Sequence, residues 1–160
     1  MSPGKPSTGF KVNVESHVDQ KGVPDERTFE KWVRAALQGQ RSKRRQVNIQ
    51  LFDLTQARAI NKTFTGKDYA TNVLSFPYEP LRGEKTAVLG DIVICPTVLE
   101  KEAKEQEKRL RDHYAHLTVH GVLHLLGFDH QNEAEAKRME DQERRVLSEF
   151  GIADPYTERD

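Results

Sequence analysis

The sequence predicts a single α/β domain, and three observations carry that expectation. Four short segments read as strands, helical patterns stand between and after them, and no internal repeat or compositional break marks a second unit. A chain of 160 residues lies in the usual range for one domain and can bury a sizeable core unaided.

Phe10 to Glu15 alternates apolar and polar residues through Val12 and Val14, the period of a half-buried strand. Asp25 is placed to cap a helix whose apolar residues Phe29, Trp32, Val33, Ala36 and Leu37 recur at three and four, ending near Gly39. A second strand is expected over Val47 to Phe52. Asp53 and Gln56 then have the spacing of a capping box for a helix to about Phe64. Val73 to Phe76 forms a third strand stopped by Pro77, and Asp91 to Cys95 a fourth, buried one. From Pro96 the pattern turns helical, with Lys101 to Arg111 so charged that this helix must face water. Tyr114 to Leu126 is almost wholly apolar apart from histidines and Thr118, so a central buried helix is expected there. An amphipathic helix from about Glu133 to Phe150, stopped by Gly151, closes the domain over residues 10–160.

Composition excludes several classes. The 25 basic and 25 acidic side chains cancel, so no global field draws the chain to DNA or a membrane surface, and any RNA contact must be local. The longest apolar run, Ile92 to Cys95, is far too short to cross a bilayer. A lone Cys95 makes no internal disulfide and fits a reducing compartment, where it reads as a buried strand residue. Residues 1–9 lack the apolar core of a secretory signal and read as a disordered tail on a cytoplasmic protein.

The chemistry concentrates in His120-Gly-Val-Leu-His124-Leu-Leu-Gly127-Phe-Asp-His130. Residues four apart on a helix share a face, so His120 and His124 reach one ion. Gly127 permits the left-handed turn that returns His130 to it. Three imidazoles with a fourth position left to water describe a catalytic zinc site, one ion per chain. The spacing equals that of the zinc-protease pattern His-Glu-x-x-His-x-x-Gly-x-x-His, but Gly121 stands where the general base belongs. Peptide hydrolysis by that route is therefore disfavoured.

The histidine run, the run Asp68-Tyr-Ala-Thr71-Asn-Val-Leu-Ser-Phe-Pro77, the segment Leu89-Gly-Asp-Ile92 and the closing Asp154-Pro-Tyr156 resemble the YbeY family of bacterial endoribonucleases. The resemblance spans about Val47 to Tyr156. It implies a small mixed four-stranded sheet flanked by helices and a zinc-dependent, single-strand-specific endoribonuclease of the cytoplasm. It also implies maturation of the 3′ end of 16S rRNA and a part in late 70S ribosome quality control. The partners implied are single-stranded RNA, the 16S rRNA precursor and the ribosome or its small subunit. One position departs from the family: Thr65 replaces the Arg that usually precedes Gly66-Lys67-Asp68, and an uncharged hydroxyl cannot do the work of a guanidinium. Lys67 and Arg58 are the nearest replacements.

Around the zinc-bound water, which a full double positive charge acidifies toward a pKa of about 7, the candidate catalytic residues are His116, Asp129 and Asp91. His116 is read as a proton shuttle or a satisfied core histidine. Asp129 is read as orienting a ligand imidazole or capping a turn, and Asp91 as standing behind the site or holding a turn. Ser75, Asn72, Lys67 and Arg58 are the candidate substrate-binding residues. Arg41-Ser-Lys-Arg-Arg45 could hold phosphates, or be a solvated loop. Phe76 and Tyr78 are candidates to stack on bases, with core packing as the alternative for Phe76. A ribosome-assembly factor whose zinc only braces the fold is the competing reading.

Overall fold

A computed structural model of the chain describes residues 10–156, so the expected tail over residues 1–9 lies outside the described residues. The elements run β1 (Lys11–Ser16), α1 (Glu26–Leu37), β2 (Gln46–Leu51), α2 (Leu54–Thr65), β3 (Val73–Pro77), β4 (Val88–Ile94), α3 (Pro96–Glu105), α4 (Leu110–Leu125) and α5 (Glu133–Ser148). Local chemistry sets the starts: Asp25 accepts from Thr28 N at 2.9 Å, Asp53 from Gln56 N at 2.8 Å and Asn132 from Glu135 N at 2.9 Å.

The four strands form one mixed sheet in the order β1-β2-β4-β3, with β1, β2 and β4 parallel and β3 antiparallel to β4 at the edge. Strand alternation sends Val47, Ile49, Leu51, Ile92 and Ile94 to one face, where α1 and α4 cover them. α4 is the central helix: it packs on the sheet, on α1 and, along its far side, on α5. Burying side chains of this size contributes roughly 1.5–3 kcal/mol each, so the core fixes α4 before any ligand does. Among the described residues no helix is long and apolar enough to cross a membrane.

Two expectations are corrected. The charged stretch Lys101 to Arg111 is not one helix: α3 ends at Glu105, and Arg111 already belongs to α4. The break is a left-handed turn without glycine, in which Glu107 takes φ 54° and Lys108 N donates back to Ala103 O at 2.9 Å. β4 begins at Val88 rather than Asp91, because Gly90 lies inside the strand instead of ahead of it. A Cβ there would stand 2.5 Å from Phe76 O and 2.6 Å from Leu125 Cδ2, so only glycine lets β3 and the end of α4 approach β4 this closely. In the basic run, read as phosphate-holding or as a solvated loop, Arg45 donates to Leu37 O, Gln40 O and Ser42 O and Arg44 to Tyr78 O, while Arg41 and Lys43 are exposed.

Candidate metal centre

α4 carries His113, His116, His120 and His124 at spacings of three and four, so they form a stripe along one side of the helix. At its C-terminal end the chain leaves through a Schellman turn: Gly127 at φ 102°, Gly127 N donating to His124 O and Phe128 N to Leu123 O, each at 3.0 Å. Phe128 packs on the core, and the reversal brings His130 back to the helix. The rings of His120 and His124 lie 4.6 Å apart between centroids, His124 and His130 5.2 Å, and His120 and His130 6.0 Å. The three predicted ligands do converge.

Among the described residues two groupings have donor atoms within 4.8 Å of one another, His116 with His120 and Glu143, and His124 with Asp129 and His130. His120 joins them. Its Nδ1 lies 2.5 Å from Glu143 Oε2, which leaves Nε2 as its free nitrogen. Burial lowers the pKa of His124, as do the neighbouring His120 and His130, so its imidazole is held in the neutral form that metals require. Three imidazoles with no thiolate suit zinc, and the donor set fits the ion.

Gly121 explains why the protease base is missing. A Cβ at this position would lie 3.0 Å from Ile92 Cδ1 and 3.2 Å from Ser75 Oγ, so position 121 faces the sheet. A glutamate there would enter the core. Ser75 Oγ donates to Gly121 O at 3.2 Å, pinning edge strand β3 to α4 beside the histidines.

The other candidates sort by their contacts. His116 Nε2 stands 3.2 Å from Tyr156 Oη and 3.7 Å from Glu143 Oε1, within the frame behind His120. Asp129 Oδ1 accepts from His130 N at 2.7 Å and stands 3.8 Å from His130 Nδ1, so it holds the turn that carries His130. Asp91 is not brought to the cluster. It lies between Gly90 and Ile92, which face α4, so it points to the opposite side of the sheet, where it ends the ladder Asn13–Asn48–Asp91. Phe76 shares that side and meets Phe64 edge-on, with centroids 5.0 Å apart. Asn72 donates to Glu102, which also bonds His113 Nε2 at 2.9 Å; this braces the other end of α4. Arg58 forms a two-point pair with Asp68 at 2.7 and 3.1 Å, and Thr65 Oγ1 is turned onto Asn61 at 2.8 Å.

Sequence reasoning missed Glu143 and Tyr156. Glu143 is fully buried on α5. Burial pushes its carboxyl up, but the polar contacts from His116, His120 and Tyr156 prevail and hold it down at about 2. A signal existed: Met139, Glu143, Val146 and Leu147 share one helical stripe, and a carboxylate on an apolar stripe needs a partner.

An α+β domain with three imidazoles gathered at the end of its central helix could hold a metal ion, and its protease-base position is closed by the sheet, which sets it apart from the zinc peptidases of the same spacing. Comparison with known proteins gives the family. The family described as Endoribonuclease YbeY matches residues 13–151. An Endoribonuclease YbeY of Stenotrophomonas maltophilia is 49% identical over 149 residues, covering 91% of this chain and 92% of that protein. One of Xanthomonas campestris is 48% identical over the same shares. The fold is shared by the solution structure of a Thermotoga maritima protein, at a TM-score of 0.51 and 21% identity over 92% of this chain and 99% of that one. The chain belongs to the endoribonuclease YbeY family, and so to the nuclease hydrolases.

Proposed function

We propose that this chain is a zinc-dependent, single-strand-specific endoribonuclease of the cytoplasm that matures the 3′ end of 16S rRNA and acts in late 70S ribosome quality control. The observation that carries the reading is the convergence of His120, His124 and His130, with the far nitrogen of His120 already committed to Glu143. His120 Nε2 and one ring nitrogen from each of His124 and His130 would hold one zinc per chain, within the domain over residues 10–160. Bound there, zinc supplies Lewis acidity toward a phosphodiester and a water acidified toward neutral pH.

The side chains do the rest. Glu143 keeps the proton on His120 Nδ1, so the ring presents a lone pair from Nε2. Asp129 holds the backbone of His130 and thereby the third ring. Lys67, exposed at the end of α2, is the better-placed cation for a substrate phosphate, since Arg58 is engaged by Asp68. Ser75 and Asn72 serve the substrate side indirectly, by fixing the middle of β3 and the residue just before it to the helical layer. Single-stranded RNA, the 16S rRNA precursor and the small subunit or ribosome are the partners on this reading.

The test is cleavage of a single-stranded RNA bearing the 16S rRNA 3′ end, with and without zinc, by the purified chain and by His124→Ala. Cleavage that needs zinc, spares a duplex and disappears in His124→Ala is expected. Equal cleavage by both proteins removes the metal mechanism; full zinc content without cleavage turns the reading to an assembly factor braced by zinc.

A further inference from the structure

Glu143 is a charged side chain with no exposed surface, and among the described residues no Lys or Arg pairs with it. The neighbouring Arg144 is directed elsewhere, to Asp141 at 2.9 Å and Asp154 at 2.8 Å. A buried carboxylate without a cation is expensive. What Glu143 has instead is a ring of hydrogen-bond donors: His120 Nδ1 at Oε2, and Tyr156 Oη at Oε1. His116 Nε2 stands 3.2 Å from the same phenol oxygen, and His116 Nδ1 is buried with no partner. The donor roles follow. His116 donates from Nε2 to Tyr156 Oη, Tyr156 donates to Glu143, and His120 donates from Nδ1 to Glu143, so every proton in the frame points toward one carboxylate.

We propose that Glu143 is the positioning residue of the metal centre, fixing the tautomer and ring plane of His120, and that Tyr156 completes it from the C-terminal segment. The inference rests on the zinc reading above. It accounts for the missing countercharge, because a cation held by His120 Nε2 would balance Glu143 from one imidazole away. It also gives the C-terminal segment a task. Arg144 Nε holds Asp154 Oδ2, Asp154 Oδ1 accepts from Tyr156 N at 2.8 Å, and Ile152 N closes the end of α5 onto Leu147 O at 3.1 Å. Adjacent residues of α5 therefore supply the carboxylate and the anchor for the tyrosine that bonds it.

The test measures zinc affinity of the full chain by competition with a chelator, together with the visible spectrum of the cobalt-substituted protein. Glu143→Gln should weaken zinc binding roughly ten- to a hundredfold, the usual effect of removing a carboxylate behind a ligand imidazole, and shift the cobalt bands. Tyr156→Phe, which keeps the ring and its packing, should weaken binding severalfold in the same direction. It carries the test alone if the Glu143 variant does not fold. A purely structural Glu143 would lower the melting temperature while leaving zinc affinity and cobalt spectrum at parental values, and that result overturns the proposal. A parent chain that binds no zinc overturns the zinc reading itself; a parent that binds one zinc while both variants match it overturns only this inference.

Discussion

Replacing Gly127 with Val isolates the backbone requirement of the metal site. A Cβ at Gly127 meets nothing within 4 Å, so crowding plays no part and the penalty is conformational. The residue sits at φ 102°, where an L-residue loses roughly 1–2 kcal/mol and a β-branched one up to about 3. Removing glycine also restricts the unfolded chain, which returns roughly 0.4–1 kcal/mol. The net loss is about 2 kcal/mol, or about thirtyfold in an equilibrium constant. That loss can surface in two places. If the turn holds its shape, the metal-free protein unfolds at lower urea; if the turn yields, His130 swings away and zinc affinity falls by up to the same factor. Urea unfolding with and without zinc, combined with a zinc titration, captures both. Gly127→Asn, which tolerates the left-handed region, should lose much less. Parental stability and parental zinc affinity in Gly127→Val would refute the left-handed turn as the device that delivers His130.

Other perturbations have different signatures. Gly90→Ala forces a methyl to within 2.5 Å of the Phe76 carbonyl, so it should destabilise by about 1–3 kcal/mol in urea unfolding and loosen β3, measured as faster amide exchange over residues 73–76. Thr65→Arg places a guanidinium on an exposed position; a charge-assisted phosphate contact of about 1.5–3 kcal/mol made only in the transition state should raise RNA cleavage roughly ten- to a hundredfold at unchanged zinc content. A slower or unchanged rate would mean that another cation fills that place. Burial lowers the pKa of His113 below the ordinary 6.5, although its Glu102 partner opposes this. Its contribution to stability is therefore complete above pH 6.5 and is lost as the pH falls below that value. Unfolding midpoints between pH 8 and pH 5 should fall less steeply in His113→Gln than in the parent.

The convergence of His120, His124 and His130 was legible in the sequence because each of its determinants is local: two histidines one helical turn apart, and a glycine that reverses the chain before the third. Capping at Asp25 and Asp53 is local too, and both carboxylates cap their helices, on Thr28 N and Gln56 N. What escaped was tertiary. Asp91 follows a glycine and precedes an apolar run, as a site residue would, yet strand alternation turns it away from α4, and no pattern in β4 alone says which face α4 covers. Glu143 lies in a run of charges, so its place on the apolar stripe of α5 was the one mark that set it apart, and the docking of α5 on α4 names its partners. The break between α3 and α4 uses Glu107 where glycine is the usual signal, so the two helices read as continuous charge. That Arg44 and Arg45 bond backbone carbonyls was not legible, because carbonyl capping by arginine leaves no mark in a sequence.

Anomalous diffraction at the zinc edge from crystals of the zinc-loaded chain tests the central claim most directly, since the described side chains offer two separate donor groupings and the proposed site draws one ligand from the first and two from the second. The account predicts one peak per chain, roughly 2.0–2.1 Å from Nε2 of His120 and from one ring nitrogen each of His124 and His130. Glu143 should remain on His120 Nδ1, away from the ion. A peak ligated by His116, His120 and Glu143, or one ligated by His124, Asp129 and His130 without His120, would contradict it.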